Sequence, residues 1–205
     1  MKIRDILKKF VVLEGLDGSG TTTQLKMLKQ KLDKEKIASF LTMEPTDGVI
    51  GRVIRDALRK KNVLDNKTLA FLFAADRNDH LYGKDGIIEQ LKQGKWVICD
   101  RYFFSSIAYQ SLSCKRNWVI EINDFPLPEY LFFIATSPQE CQKRMENRAG
   151  KELFEDIKLQ KDILDNYNYG INKYKKSGMK AFYINGEESP EIINEKIWEI
   201  LSQCR

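Results

Sequence analysis

The residues most able to do chemistry form one short run, Gly15-Leu16-Asp17-Gly18-Ser19-Gly20-Thr21-Thr22, followed by Thr23. The spacing is that of a phosphate loop, G-x-x-x-x-G-K-[ST], with one departure: Thr21 stands where the lysine belongs. Glycines let successive backbone N–H groups turn toward a single anion at a helix N-terminus, where the peptide dipoles also favour negative charge. Thr22 would offer its hydroxyl to a phosphate-bound Mg²⁺ ion. The plainer alternative is a glycine-rich turn that only caps a helix. The apolar run Phe10-Val11-Val12-Leu13 before the loop and the helical pattern after it are the context phosphate binding needs.

Other charged and aromatic groups stand at positions that suit anion handling. Asp100-Arg101 follows the apolar run at 96–99, at the strand end where open α/β sheets bind ligands. Arg101 is suited to hold a phosphate as a bidentate fork, and Asp100 to reach a Mg²⁺ shell. Phe73 lies four residues before Arg77, so both can face one cleft. Core packing with Leu69 and Leu72 is the alternative for Phe73, whereas an unpaired arginine is almost never fully buried.

The elements that must position these groups alternate regularly. Buried strands are expected at residues 10–13, 37–41, 96–99, 130–134 and 182–184, each followed by helical segments. Leu25, Leu28 and Leu32 line one face of a helix at 21–36. Helices are also expected at 49–58 and, as one long element closed by Gly94, at 66–93. Strands alternating with helices imply right-handed crossovers and a parallel sheet covered on both faces. The expected fold is therefore α/β, a three-layer P-loop NTPase fold with a five-stranded parallel sheet flanked by helices.

Composition narrows the chemistry further. The 205 residues fit one domain, with 34 Lys+Arg against 29 Asp+Glu and a net charge of +5. That mild charge suits anionic small ligands better than a dedicated nucleic-acid surface. The single histidine, His80, excludes a three-histidine zinc site and argues against a serine triad. The four cysteines are scattered without a C-x-x-C pair, and Cys99 reads as a buried free thiol. No signal peptide or membrane span is visible, so a cytoplasmic protein is expected.

Taken together, Glu14 to Gly20, Glu44-Pro45-Thr46-Asp47-Gly48, Leu72-Phe73-Ala74-Ala75-Asp76-Arg77, Asp100-Arg101-Tyr102, Ser105 and Ala108-Tyr109-Gln110 resemble the thymidylate kinase family. Pro138, Arg144 and Arg148 continue the pattern, which spans roughly the first three quarters of the chain. The resemblance implies transfer of the γ-phosphoryl of ATP to dTMP with Mg²⁺, by a homodimer that engages neither nucleic acid nor membrane. It also implies site roles. Residues 15–23 and Arg144 would hold ATP, Thr22 and Asp100 the metal, and Asp17, Glu44, Pro45, Phe73, Arg77, Arg101, Ser105, Ser106, Tyr109 and Gln110 the acceptor. Phe73 would stack on thymine, Tyr109 pack against the deoxyribose, and Asp17 meet the 3′-hydroxyl.

Two further features, one departure from the family pattern and one mark of a branch within it, carry consequences. Met43 stands where an arginine often precedes the Glu-Pro pair, leaving Arg52 and Arg55 as candidates for the monophosphate. The loop has no basic residue at Gly18, which points to the branch whose catalytic basic residues lie in a lid, here 144–156. Arg148 or Lys151 would then supply part of the charge missing at Thr21, acting with Asp17 and Arg101 in catalysis. The rival readings are another nucleotide kinase on this scaffold, or a nucleotide-binding scaffold that has lost catalysis.

Overall fold

A computed structural model describes residues 4–146 and 157–203 of the chain. Five strands, β1 (Ile6–Gly15), β2 (Ser39–Met43), β3 (Trp96–Asp100), β4 (Leu127–Ala135) and β5 (Lys180–Asn185), form one parallel sheet in the order β2-β3-β1-β4-β5. β1 is central because its apolar run must be covered on both faces, and Phe10, Val11, Val12 and Leu13 are all fully buried. Alternate side chains point to opposite faces. Phe10 and Val12 pack with Val97, Leu131 and Phe133 on one side, while Val11 and Leu13 pack with Leu25, Leu28, Ile98 and Phe132 on the other.

Helices α1 (Thr21–Lys34) and α9 (Pro190–Ser202) cover the second face, with Leu25, Leu28 and Leu32 of α1 buried as their spacing predicts. α9 opens on Ser189, whose hydroxyl accepts the Ile192 N–H at 3.4 Å, with Pro190 in the first turn. The other face carries α5 (Phe103–Gln110) and α8 (Ile157–Tyr174). α2 (Val49–Leu58), α3 (Asn66–Tyr82), α4 (Ile87–Lys92), α6 (Arg116–Ile122) and α7 (Pro138–Glu146) complete the order.

Two sequence expectations need correction. The helix expected at 66–93 is two helices, because 83–86 form a turn: Gly86 N–H bonds Gly83 O at 3.0 Å, and Asp85 sits at φ 60°. A side chain at Gly86 would come within 2.7 Å of the His80 carbonyl oxygen, so the turn requires glycine. Gly94 does end the second piece, at φ 81°. The second strand starts at Ser39 rather than Ile37, whose N–H is spent on Leu32 O at 2.9 Å in closing α1.

Candidate functional site

The strand order reverses at β1 and β3, and ligands in such sheets bind at that crevice beyond the carboxyl ends. A cavity of about 260 Å³ lies there. Asp17 and Thr22 line it from the phosphate loop, and Asp100, Arg101 and Tyr102 from the end of β3. Glu44, Pro45 and Arg55 close another side, while Phe73, Arg77, Ser105, Ser106, Tyr109 and Gln110 contribute from α3 and α5.

The phosphate loop has the conformation its glycines allow. Gly18 and Gly20 adopt φ values of 85° and 102°. Gly20 leads into α1 with no side-chain cap and no acidic residue in the first turn, so the helix N-terminus stays electropositive. At Gly18 a β-carbon would lie 2.6 Å from the Cys141 carbonyl oxygen of α7. That approach gives a physical reason why this loop carries no basic side chain there. Thr21 is buried beneath the loop, whereas Thr22 and Thr23 are exposed.

Thr22 Oγ1 donates to Asp100 Oδ2 at 2.5 Å, joining the first turn of α1 to the end of β3. The other carboxylate oxygen, Asp100 Oδ1, is buried without a hydrogen-bond partner among the described residues. An orphaned carboxylate oxygen beside a threonine hydroxyl is the donor set expected for a hard cation that shares its shell with phosphate oxygens. No cluster of three or more His, Cys, Asp or Glu side chains suited to a metal occurs among the described residues.

Arg101 is preorganised. Its Nη2 donates to Asp17 Oδ1 at 2.5 Å, and its Nη1 to Ser105 Oγ at 3.2 Å and Tyr167 OH at 3.0 Å. The guanidinium carbon lies 5.5 Å from the centre of the Tyr109 ring. Burial pushes the Tyr109 phenol far above its ordinary value, with Asp17 adding to the rise, so the ring stays neutral beside the arginine.

Arg77 is fully buried and paired. Nε and Nη2 both reach Glu44 Oε2, at 2.9 and 2.7 Å, Nη2 also reaches Ser106 Oγ at 3.1 Å, and Nη1 bonds Asn123 Oδ1. Glu44 Oε1 meets His80 Nδ1 at 3.1 Å, and His80 Nε2 meets Thr42 Oγ1 at 2.5 Å. One residue before Arg77, Asp76 accepts the Thr46 N–H at 2.7 Å and its hydroxyl at 2.6 Å. α3 thus grips the 44–46 loop with Asp76, Arg77 and His80. Phe73 is half-buried and belongs to neither core cluster, so its ring is available to the cavity. Gln110 Oε1 is a buried acceptor without a partner among the described residues.

Of the two arginines near the 44–46 loop, only Arg55 lines the cavity, where it donates to Pro45 O at 2.9 Å and pairs with Asp47 at 3.1 Å. Arg52 is exposed and bonds Asp47 O at 3.3 Å. Arg144 bridges three segments, donating to Glu140 at 2.9 Å, Ser19 O at 3.3 Å and Gly186 O at 2.9 Å. Its contacts are those of a brace on the phosphate loop. Arg148, Lys151 and the remaining lid segment at 147–156 lie outside the described residues.

Sequence reasoning gave no role to Glu14, Asn123, His80 or Tyr167. Only Glu14 offered a signal, an acid closing an apolar strand.

A phosphate loop on the central strand of a parallel sheet, facing a cavity where Arg55, Arg77 and Arg101 stand among Asp17, Glu44 and Asp100 at the switch point, defines the class of P-loop nucleotide-binding α/β proteins. The thymidylate kinase family model matches residues 13–197. A protein of Treponema pallidum whose name refers it to thymidylate kinase is 40% identical over 205 residues, 98% of each chain. Two relatives named "Probable thymidylate kinase" are similar to it as well. That of Methanococcus vannielii is 40% identical over 92% of this chain and 93% of its own. That of Methanocaldococcus jannaschii is 42% identical over 77% and 79%. The chain belongs to the thymidylate kinase family.

Proposed function

We propose that the protein moves the γ-phosphoryl group of ATP to the 5′-phosphate of dTMP, releasing dTDP and ADP and so serving dTTP synthesis. The observation that carries this reading is one cavity bounded by a phosphate loop, a preorganised guanidinium and a wall of Phe73, Arg77 and Gln110. An acceptor-phosphate oxygen attacks the γ-phosphorus while the bond to the β-phosphate oxygen breaks. Both reactants are anions, so positioning and charge stabilisation carry the catalysis.

Arg101 holds the acceptor phosphate, with Asp17 fixing its guanidinium and meeting the 3′-hydroxyl. Arg55 supplies the second positive charge that Met43 does not. Phe73 stacks on the base, Arg77 and Gln110 hydrogen-bond its edge, and Tyr109 packs against the sugar, with Ser105, Ser106, Glu44 and Pro45 holding these groups in place. Residues 15–23 cradle the donor phosphates, and Arg144 braces that loop. Thr22 and Asp100 would hold Mg²⁺, which when bound offsets charge on the donor phosphates. Arg148 or Lys151 supplies part of the charge absent at Thr21. The whole chain acts as one kinase domain.

The same reading includes a cytoplasmic homodimer. Its support is Phe71 on α3, 53% exposed and packed edge-on against Trp118 of α6, an apolar surface suited to a second copy. No helix among the described residues is long and apolar enough to cross a membrane.

A panel of nucleoside monophosphates with ATP and Mg²⁺ tests the assignment. The expected result is fastest ADP release with dTMP. Faster turnover of a purine or cytidine monophosphate would place the protein among other nucleotide kinases, and ATP binding without ADP release would make it a scaffold.

A further inference from the structure

Glu14 closes β1 and is fully buried, yet it does not line the cavity. Its carboxylate collects four donors. Oε1 accepts the backbone N–H groups of Tyr102 at 2.8 Å and Ser105 at 3.2 Å, and Oε2 accepts the hydroxyls of Ser105 at 2.7 Å and Tyr167 at 3.1 Å. The first pair caps α5, whose own N-cap residue, Tyr102, provides no side-chain bond. The second pair does something a cap does not need.

Ser105 Oγ donates to Glu14 Oε2, and Tyr167 OH, 2.8 Å from Ser105 Oγ, has Glu14 Oε2 and Gly15 O as acceptors at 3.1 Å each, so both oxygens keep lone pairs for Arg101 Nη1. Arg101 also sits at φ 71°, a left-handed conformation unusual for a residue with a side chain. Such a backbone persists only where its surroundings over-determine it. Here the Arg101 N–H bonds Leu13 O at 2.8 Å, and Glu14 grips the next residue and Ser105.

We infer that Glu14 and Tyr167 are positioning residues for the acceptor-phosphate site: Glu14 orients the hydroxyls of Ser105 and Tyr167, and those hydroxyls aim the Arg101 guanidinium. Through Tyr167, α8 takes part in acceptor binding although it contributes no residue to the cavity. This rests on Arg101 being the group that meets the acceptor phosphate.

The test uses Tyr167→Phe and Glu14→Gln in the full chain, with dTMP binding measured by calorimetry and turnover measured for both substrates. Loss of one oriented hydrogen bond to a charged group corresponds to roughly a tenfold weakening. The expected result is dTMP Kd and KM about tenfold higher in each variant, with the KM for ATP unchanged. In an Arg101→Ala background the same two substitutions are expected to add less than twofold, because their effect runs through that arginine. Unchanged dTMP affinity in Tyr167→Phe would overturn the inference, as would equal weakening with and without Arg101. If Glu14→Gln fails to fold, Tyr167→Phe decides. An unmodified protein that binds dTMP but forms no dTDP would refute the kinase assignment instead.

Discussion

Arg77 and Glu44 form a buried ion pair in which two arginine nitrogens, Nε and Nη2, converge on one carboxylate oxygen at 2.9 and 2.7 Å. Both side chains are almost fully buried, at 1% and 3% exposure. The second oxygen is held by His80. Removing one partner of such a pair leaves a charge without water or counter-ion. Glu44→Ala is therefore expected to destabilise the fold by about 3–5 kcal/mol. Urea unfolding of the two proteins at pH 7 checks it, and a loss below about 1 kcal/mol would show that the pair is dispensable.

The phosphate loop tolerates no side chain at its third residue after Gly15. Gly18 combines φ 85° with a 2.6 Å approach to the Cys141 backbone. Gly18→Ala must move either the loop or α7, and the strain of the backbone alone costs on the order of 1–3 kcal/mol. We expect ATP affinity to fall about tenfold or more, while the dTMP Kd stays within twofold. Calorimetric titration with each nucleotide separates the two.

Glu14 gives a pH dependence whose sign follows from its surroundings. Burial raises its carboxyl from 4.5 to about 7, against the lowering influence of Arg101, Ser105, Tyr102 and Tyr167. The folded state thus holds this proton more tightly than the unfolded chain. The contribution to stability is complete below pH 4.5 and is lost as pH rises through about 7. Relative to Glu14→Gln, the unmodified protein should lose about 3 kcal/mol over that interval. Denaturant unfolding of both proteins from pH 4.5 to 8 measures the difference, and parallel curves would contradict it.

The parts of the site legible in the sequence were those written locally. Phosphate loop, strand and amphipathic helix are contiguous, so Gly15 to Thr22 and Leu25, Leu28 and Leu32 could be read from spacing alone. The helix break at Gly83 and Gly86 was also present, but the apolar period on both sides masked it. The support of Arg101 could not be read this way, because Glu14 and Tyr167 stand 153 residues apart. Only the sheet order and the crossing of α8 bring them together. His80 illustrates the same limit: a lone histidine excluded some chemistries, and its partner Glu44 became visible only in the fold.

Under the proposed function, Arg148 or Lys151 supplies the charge that the missing phosphate-loop lysine would have carried. Arg148→Ala or Lys151→Ala is expected to lower kcat on the order of 10²–10³-fold, the cost of removing one charge-stabilising donor. Thr21→Lys should recover part of that loss in the more damaged variant. Steady-state turnover with dTMP checks both, and full activity in the two alanine variants would remove the lid from the account.

The most direct measurement follows the γ-phosphoryl group itself. The purified protein is mixed with γ-labelled ATP, Mg²⁺ and dTMP, and the nucleotides are separated. The account predicts label in the β-phosphate of dTDP, with one ADP formed for each dTDP. Label appearing only as inorganic phosphate, or remaining entirely in ATP, would contradict it.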